Sequence, residues 1–181
     1  MRTWRPTSIE RLFRHPIFEL QLHRLAAGDE RREAVVIEAP HWINVIPLLP
    51  DKRVVLIRQW RFGIQAPTLE IPGGMMDPGE DPETAARREL EEETGYRAGR
   101  MERLGVTHPN PAFQNNEIST WLATELAPPT VEREILGVEG EEISVETAAL
   151  DDIPGLIARG EITHSLVVVA FYLLDLRRAT S

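Results

Sequence analysis

Residues 73–96, GGMMDPGEDPETAARRELEEETGY, place carboxylates where a soluble helix normally puts apolar side chains, and no other stretch limits fold and chemistry so sharply. Asp81 suits an N-cap, Pro82 the first helical position and Gly95 a C-terminal stop, so a helix of about three turns is bracketed at both ends. At about 3.6 residues per turn, Ala85, Ala86 and Leu90 mark one face. Glu89 and Glu93, four apart, fall in the middle of that face, with Glu92 at its margin. Arg87 and Glu91 point away. Acids at this spacing repel each other and resist burial in the ionised form. A hard divalent cation answers both penalties, because Mg²⁺ takes oxygen ligands at about 2.0–2.1 Å, uses few carboxylates and leaves places for water and phosphate. Glu80 and the Gly73-Gly74 pair add a further acid and a backbone able to approach an ion or a phosphate closely. The residues by themselves leave two readings open: a metal-diphosphate site on a loop-helix unit, and a solvated acidic helix.

Along the rest of the chain, residues 16–25 and 33–39 alternate apolar and polar side chains around the turn sequence AAGDER and predict an antiparallel hairpin. Strands are expected over 42–49 and 53–60, joined at Pro50-Asp51-Lys52, and over 68–71, 101–106, 117–124 and 143–147. Two helices close the chain, 150–159 ending at Gly160 and 163–178 capped by Thr163. The run VVVAFYLL has strand propensity, but the spacing of Leu166, Val169, Leu173 and Leu176 favours helix. The expected class is α+β, a mixed sheet flanked by helices, with residues 1–40 as an N-terminal antiparallel β extension and 41–181 as the main domain.

A net charge of −9 argues against a nucleic-acid-binding face, which needs concentrated Lys and Arg. Without cysteine there is no disulfide, thiolate metal site or Cys nucleophile. The first residues lack the apolar core of a signal peptide, and the longest apolar run, 166–174, is too short to span a bilayer, so a cytoplasmic protein without membrane contact is expected.

The order Gly74, five residues, Glu80, seven residues, Arg88-Glu89-Leu90, one residue, Glu92-Glu93, one residue, Gly95-Tyr96 resembles the complete signature of the Nudix hydrolases. Four further segments resemble the ADP-ribose pyrophosphatase and nucleoside-diphosphate-sugar hydrolase branch: IRQWRFG (57–63), LEIPGG (69–74), VEGEEISV (138–145) and RGEITHSLVVVAFYLL (159–174). The resemblance implies an αβα sandwich and Mg²⁺-dependent hydrolysis of a nucleoside diphosphate sugar, such as ADP-ribose or GDP-mannose, to a nucleoside monophosphate and a sugar phosphate. Mn²⁺ is a possible substitute metal.

Carried over residue by residue, the resemblance implies that the Gly73 carbonyl, Glu89 and Glu93 hold metal, that Glu92 supports them and that Arg88 orients the acids. Glu139 is the implied general base and Glu141 a further metal ligand, on a loop whose Gly137 and Gly140 let it close. Arg58 and Arg61 are phosphate candidates on opposite strand faces, with Arg61 favoured. Glu70 is a candidate for the base or ribose. Trp4, Trp42 and Trp60 are read first as core, and His108 and His164 as ordinary polar residues. In place of a Pro-Gly loop the chain has NPAFQNNE (110–117), whose Asn110, Asn115 and Asn116 are suited to sugar hydroxyls or base edges. A homodimer with residues 1–40 packed on the partner is also expected. The alternatives are a Nudix hydrolase of nucleoside triphosphates or dinucleoside polyphosphates, and a non-catalytic Nudix-fold ligand sensor. The N-terminal extension disfavours the first, and the intact acids with no DNA-binding module disfavour the second.

Overall fold

The computed structural model describes residues 1–130 and 143–180, which fall into two compact units: Met1–His41 with Thr107–Ile118, and Trp42–Val106 with Ser119–Ser181. The first unit is built on an antiparallel sheet of β1 (Arg5–His15), β2 (Phe18–Ala27) and β3 (Glu30–Glu38), in that order. The β2–β3 hairpin is the one expected from the alternation, turning at Gly28-Asp29 with Gly28 left-handed at φ 63°. Strand β1 was not expected. Its register slips twice, between Pro6 and Ser8 and between Arg11 and Phe13, which breaks the period-two signal that a strand reading depends on. Pro6 is tolerated because β1 lies at the sheet edge.

The same unit holds the amide-rich loop. Ile37 N–H donates to Phe113 O at 2.7 Å, Ala39 N–H to Asn115 Oδ1 at 3.2 Å, and Asn116 Nδ2 to Pro40 O at 3.1 Å. Asn116 is buried and Asn110 accepts main-chain bonds from Phe113 and Gln114.

The second unit contains β4 (Trp42–Pro47), β5 (Arg53–Arg61), β6 (Ala66–Glu70), β7 (Gly73–Met75), β8 (Arg97–Thr107), β9 (Ile118–Ala127) and β10 (Ile143–Ala149). They form a three-stranded sheet, β10-β5-β6, and a four-stranded sheet, β7-β4-β9-β8. Among the described residues three helices accompany them: α1 (Pro82–Thr94), α2 (Ile153–Ala158) and α3 (Ser165–Ala179). Alternation along β4 decides the layering. Ile43 and Val45 join Ala85, Ala86 and Leu90 of α1 in one buried cluster, with Trp121 and Ala123 of β9. Ile46 belongs to the other cluster, with Val54, Leu56, Leu69 and, from α3, Val167, Ala170, Phe171 and Leu174. A strand with helices packed on both faces makes the expected α+β sandwich.

Helix α1 begins and ends where the caps predict. Asp81 Oδ1 accepts from Glu83 N at 2.9 Å and Thr84 N at 3.2 Å, and Gly95 closes the helix at φ 72° with its N–H on Glu91 O.

Three expectations need correction. The segment 150–159 is not one helix but a 3₁₀ turn, Leu150–Asp152, followed by α2. Thr163 does not cap α3; His164 does, its Nδ1 accepting from Leu166 N at 3.3 Å, so His164 is not an ordinary polar residue. Trp60 is not core, being half exposed where β5 runs out toward its hairpin.

Candidate active site

The buried side of α1 carries Glu89 and Glu93 together with Ala85, Ala86, Leu90 and Thr94, as the helical register requires. Both carboxylates face strand β7. Gly73 N–H donates to Glu93 Oε2 at 2.9 Å, and a β-carbon on Gly74 would overlap the Glu89 carboxylate. The glycine pair is therefore required by close approach: Glu89 fills the space beside Gly74, and the Ile43 carbonyl and Asn44 side chain fill the space beside Gly73.

Arg88 organises the outer acids. Its Nε and Nη2 bind the two oxygens of Glu80 at 3.0 and 2.9 Å, Nη1 binds Glu89 Oε1 at 2.8 Å and Glu92 Oε2 at 3.1 Å, and Nη2 also reaches Met75 O at 3.1 Å. A planar fork with fixed donors can serve three carboxylates and a carbonyl at once. Glu80 in turn accepts from Asp77 N at 3.1 Å, which ties the loop before α1 to the same hub.

Electrostatics separates the acids. Contact with Arg88 holds Glu80 below the usual carboxylate range against a smaller burial penalty. Burial pushes Glu89 up, with Arg88 opposing and the charges of Glu92 and Glu80 adding to the rise. Glu93 is pushed up to about 8, chiefly by burial; the Gly73 N–H opposes this and the charge of Glu89 reinforces it. Burial and mutual repulsion penalise the ionised form of both inward carboxylates, a penalty that a bound cation would offset.

A divalent cation fits that place on the chemistry of the donors. The set is oxygen only, and the inward acids are gathered on one helix face beside a close-packed glycine backbone. Among the described residues no three His, Asp or Glu side chains converge as a self-sufficient metal cluster. The pair suits an ion that completes its shell with water and phosphate oxygens. Glu139 and Glu141 lie outside the described residues.

The remaining candidates separate. Arg61 Nε and Nη2 each lie 2.7 Å from an oxygen of Glu70, which is buried and also accepts from Thr68 Oγ1 at 2.5 Å. Burial works against ionisation of Glu70, but Arg61 and Thr68 outweigh it and hold the carboxyl below its ordinary value. The charges of Arg61 and Glu70 both act on Glu93, so this pair shares the electrostatic field of the inward acids. Arg58 binds Glu146 on the other neighbouring strand, at 2.6 and 3.2 Å. Asn110, Asn115 and Asn116 belong to the first unit. Sequence reasoning passed over His164, which is half-buried and whose pKa is lowered by burial, with Glu70 opposing. It also passed over Asn44, a lone amide in the otherwise apolar strand WINVIP.

This loop-helix unit, with its arginine-braced acids on a sandwich of helices and sheets, places the chain in the Nudix family, whose NUDIX domain model matches residues 41–168. It is a Nudix hydrolase, of a family that in general uses a divalent metal. Among its relatives, the ADP-ribose pyrophosphatase of Bacillus subtilis (strain 168) is 28% identical over 172 residues, covering 94% of this chain and 91% of that protein. The methanol dehydrogenase activator of Bacillus methanolicus is 30% identical over 173 residues, with coverage of 94% and 91%. The crystal structure of an ADP compounds hydrolase shares the fold at a TM-score of 0.83 and 23% identity, over 97% of this chain and 94% of that one.

Proposed function

We propose that the protein hydrolyses the pyrophosphate bond of nucleoside diphosphate sugars with Mg²⁺, ADP-ribose or a related ADP-sugar first among them and GDP-mannose included, releasing a nucleoside monophosphate and a sugar phosphate. The observation that carries this reading is the pair of inward acids, Glu89 and Glu93, seated against Gly73-Gly74 and braced by Arg88. The substrate class is supported by the B. subtilis ADP-ribose pyrophosphatase, which aligns over 94% of the chain, whereas a putative 8-oxo-dGTP diphosphatase from the same organism aligns over 40%.

Glu89, Glu93 and the Gly73 carbonyl would hold the metal, with Glu141 joining them. When bound, Mg²⁺ supplies charge neutralisation to the pyrophosphate and Lewis acidity to the attacking water. Arg88 keeps the Glu89 and Glu92 carboxylates aimed, so that little reorganisation is needed when substrate arrives. Glu139 takes the proton from water. Arg61, with its partner Glu70, is assigned to the phosphates and the nucleoside because its charge and that of Glu70 act on Glu93, and Arg58, paired with Glu146, has the smaller share. Asn110 reads a sugar hydroxyl or base edge; Asn115 and Asn116 act with it while holding the end of β3.

The reading includes a homodimer. Every residue of β1 is exposed, among them Ile9, Leu12 and Phe13, and an edge strand with so little covered surface gains by packing on a second copy. A monomer by light scattering at micromolar concentration would contradict it.

The test is product analysis with Mg²⁺ and a panel of ADP-ribose, GDP-mannose, UDP-glucose, NADH, a nucleoside triphosphate and a diadenosine polyphosphate. ADP-sugars are expected to turn over fastest, giving AMP. Preference for the triphosphate or the dinucleotide would move the protein to another Nudix activity. In the same assay Glu139→Gln should slow hydrolysis with little loss of substrate binding, and unchanged turnover would move the base elsewhere.

A further inference from the structure

Strand β4 is apolar on both faces except at Asn44, which is buried, and burying an amide is costly unless it is hydrogen-bonded. Its Nδ2 donates to Leu166 O in the first turn of α3 at 3.3 Å. Its cross-strand partner in the β4–β7 pair is Gly73. The approach is tight: a β-carbon on Gly73 would overlap the main-chain oxygen of Ile43 and would lie 2.7 Å from Asn44 Oδ1 and 3.2 Å from Asn44 Cα. Gly73 thus sits against the β4 backbone on one side and the Asn44 amide oxygen on another, and from that position its N–H donates to Glu93 Oε2 at 2.9 Å.

We infer that Asn44 is a positioning residue for the metal-binding carboxylate: tethered to α3 through Nδ2, it holds the Gly73 backbone so that the Gly73 N–H orients Glu93. The inference deepens the proposed function and rests on its assignment of Glu93 to the metal. The physical need is clear from the strand itself. Strand β7 has three residues, two of them glycines without side chains to pack, so its own cohesion fixes Gly73 weakly. A carboxylate whose aim depends on one main-chain donor needs that donor immobilised by a neighbour. Asn44 connects the helix on one face of the sandwich with the acid presented by the helix on the other. A valine at position 44 would keep the strand apolar, the sheet paired and the main-chain contacts in place, while removing the tether to Leu166 and the amide oxygen beside Gly73.

The experiment compares wild type with Asn44→Val and Asn44→Ala by two readouts. The first is Mn²⁺ binding to the metal-free protein by titration; the second is the Gly73 amide proton shift and exchange rate by NMR, which needs no metal. Asn44→Val is expected to bind Mn²⁺ about tenfold more weakly, the usual scale for a residue supporting a ligand. Turnover should fall at limiting metal and recover at saturating metal, with KM for substrate unchanged. The Gly73 amide should shift and exchange faster. A merely structural Asn44 would lower the melting temperature and leave Mn²⁺ affinity and the Gly73 amide as in wild type; that result, in whichever variant folds, overturns the inference. Should wild type itself take up no Mn²⁺, the metal assignment fails, while a changed Gly73 amide would still assign Asn44 to holding Gly73.

Discussion

Arg61 grips Glu70 with two parallel bonds of 2.7 Å, a charged fork closed on a carboxylate that is 3% exposed. The acid is buried, and the guanidinium is the main group that keeps it ionised, with the Thr68 hydroxyl assisting. Arg61→Met should therefore destabilise the protein by about 2–4 kcal/mol, below the full cost of breaking a buried pair because the arginine is 39% exposed. The double variant Arg61→Met/Glu70→Gln should recover part of that loss in urea denaturation. Additive losses would show that the two residues are not coupled.

Glu93 has a folded-state pKa of about 8 against an ordinary value of 4.5, so in the absence of metal the folded protein holds a proton that the unfolded chain releases. Its contribution to stability is fully present below about pH 4.5 and is lost as pH rises through about 8. Glu93→Gln removes this titration. In chelator the variant should gain melting temperature relative to wild type as pH is raised from 5 to 9, roughly the window those two values define. In Mg²⁺ the order should reverse, since a cation favours the ionised acid. The same variant should lose about 100-fold or more in turnover. Full activity would remove Glu93 from the metal site.

Arg88→Lys keeps the charge and loses the fork. One ammonium cannot serve Glu80, Glu89, Glu92 and the Met75 carbonyl together. Turnover should drop by about 10–100-fold while the circular dichroism spectrum is unchanged. Equal kcat would mean that the acids are aimed by α1 alone.

His164 caps α3 through Nδ1, which can accept a bond only while that nitrogen is unprotonated. Burial lowers its pKa, so the folded state favours the neutral ring, and stability is lost as pH falls below the ordinary value of 6.5. His164→Ala should cost about 0.5–2 kcal/mol at pH 8, and His164→Ser should restore most of it. With the serine cap the pH dependence below about 6.5 should flatten. A wild-type acid profile in His164→Ser would assign it to another group.

How far the sequence could be read followed the range of the forces involved. Helix α1 was legible to the residue because its determinants are local: Asp81, Pro82 and Gly95 act on their own turns, and a 3.6-residue period put Glu89 and Glu93 beside Ala85 and Leu90 before any partner was known. The same holds for the β2–β3 hairpin and for the helical reading of VVVAFYLL. Strand β1 is hidden because two bulges erase its alternation, and the His164 cap is hidden because cap preferences rank hydroxyls such as Thr163 above imidazole.

The chemistry divided along the same line. The sequence alone determined that several acids share a helix face with an arginine and a glycine pair, since spacing along one element settles who is a neighbour. Which acid turns inward against which backbone, that Arg61 is committed to Glu70 and Arg58 to Glu146, and that the Asn44 amide oxygen lies beside Gly73 were decided only in the tertiary structure. Those relationships join residues far apart in the chain through short-range contacts, and steric fit and hydrogen bonding act only after the sheets and helices have brought the groups within a few ångströms.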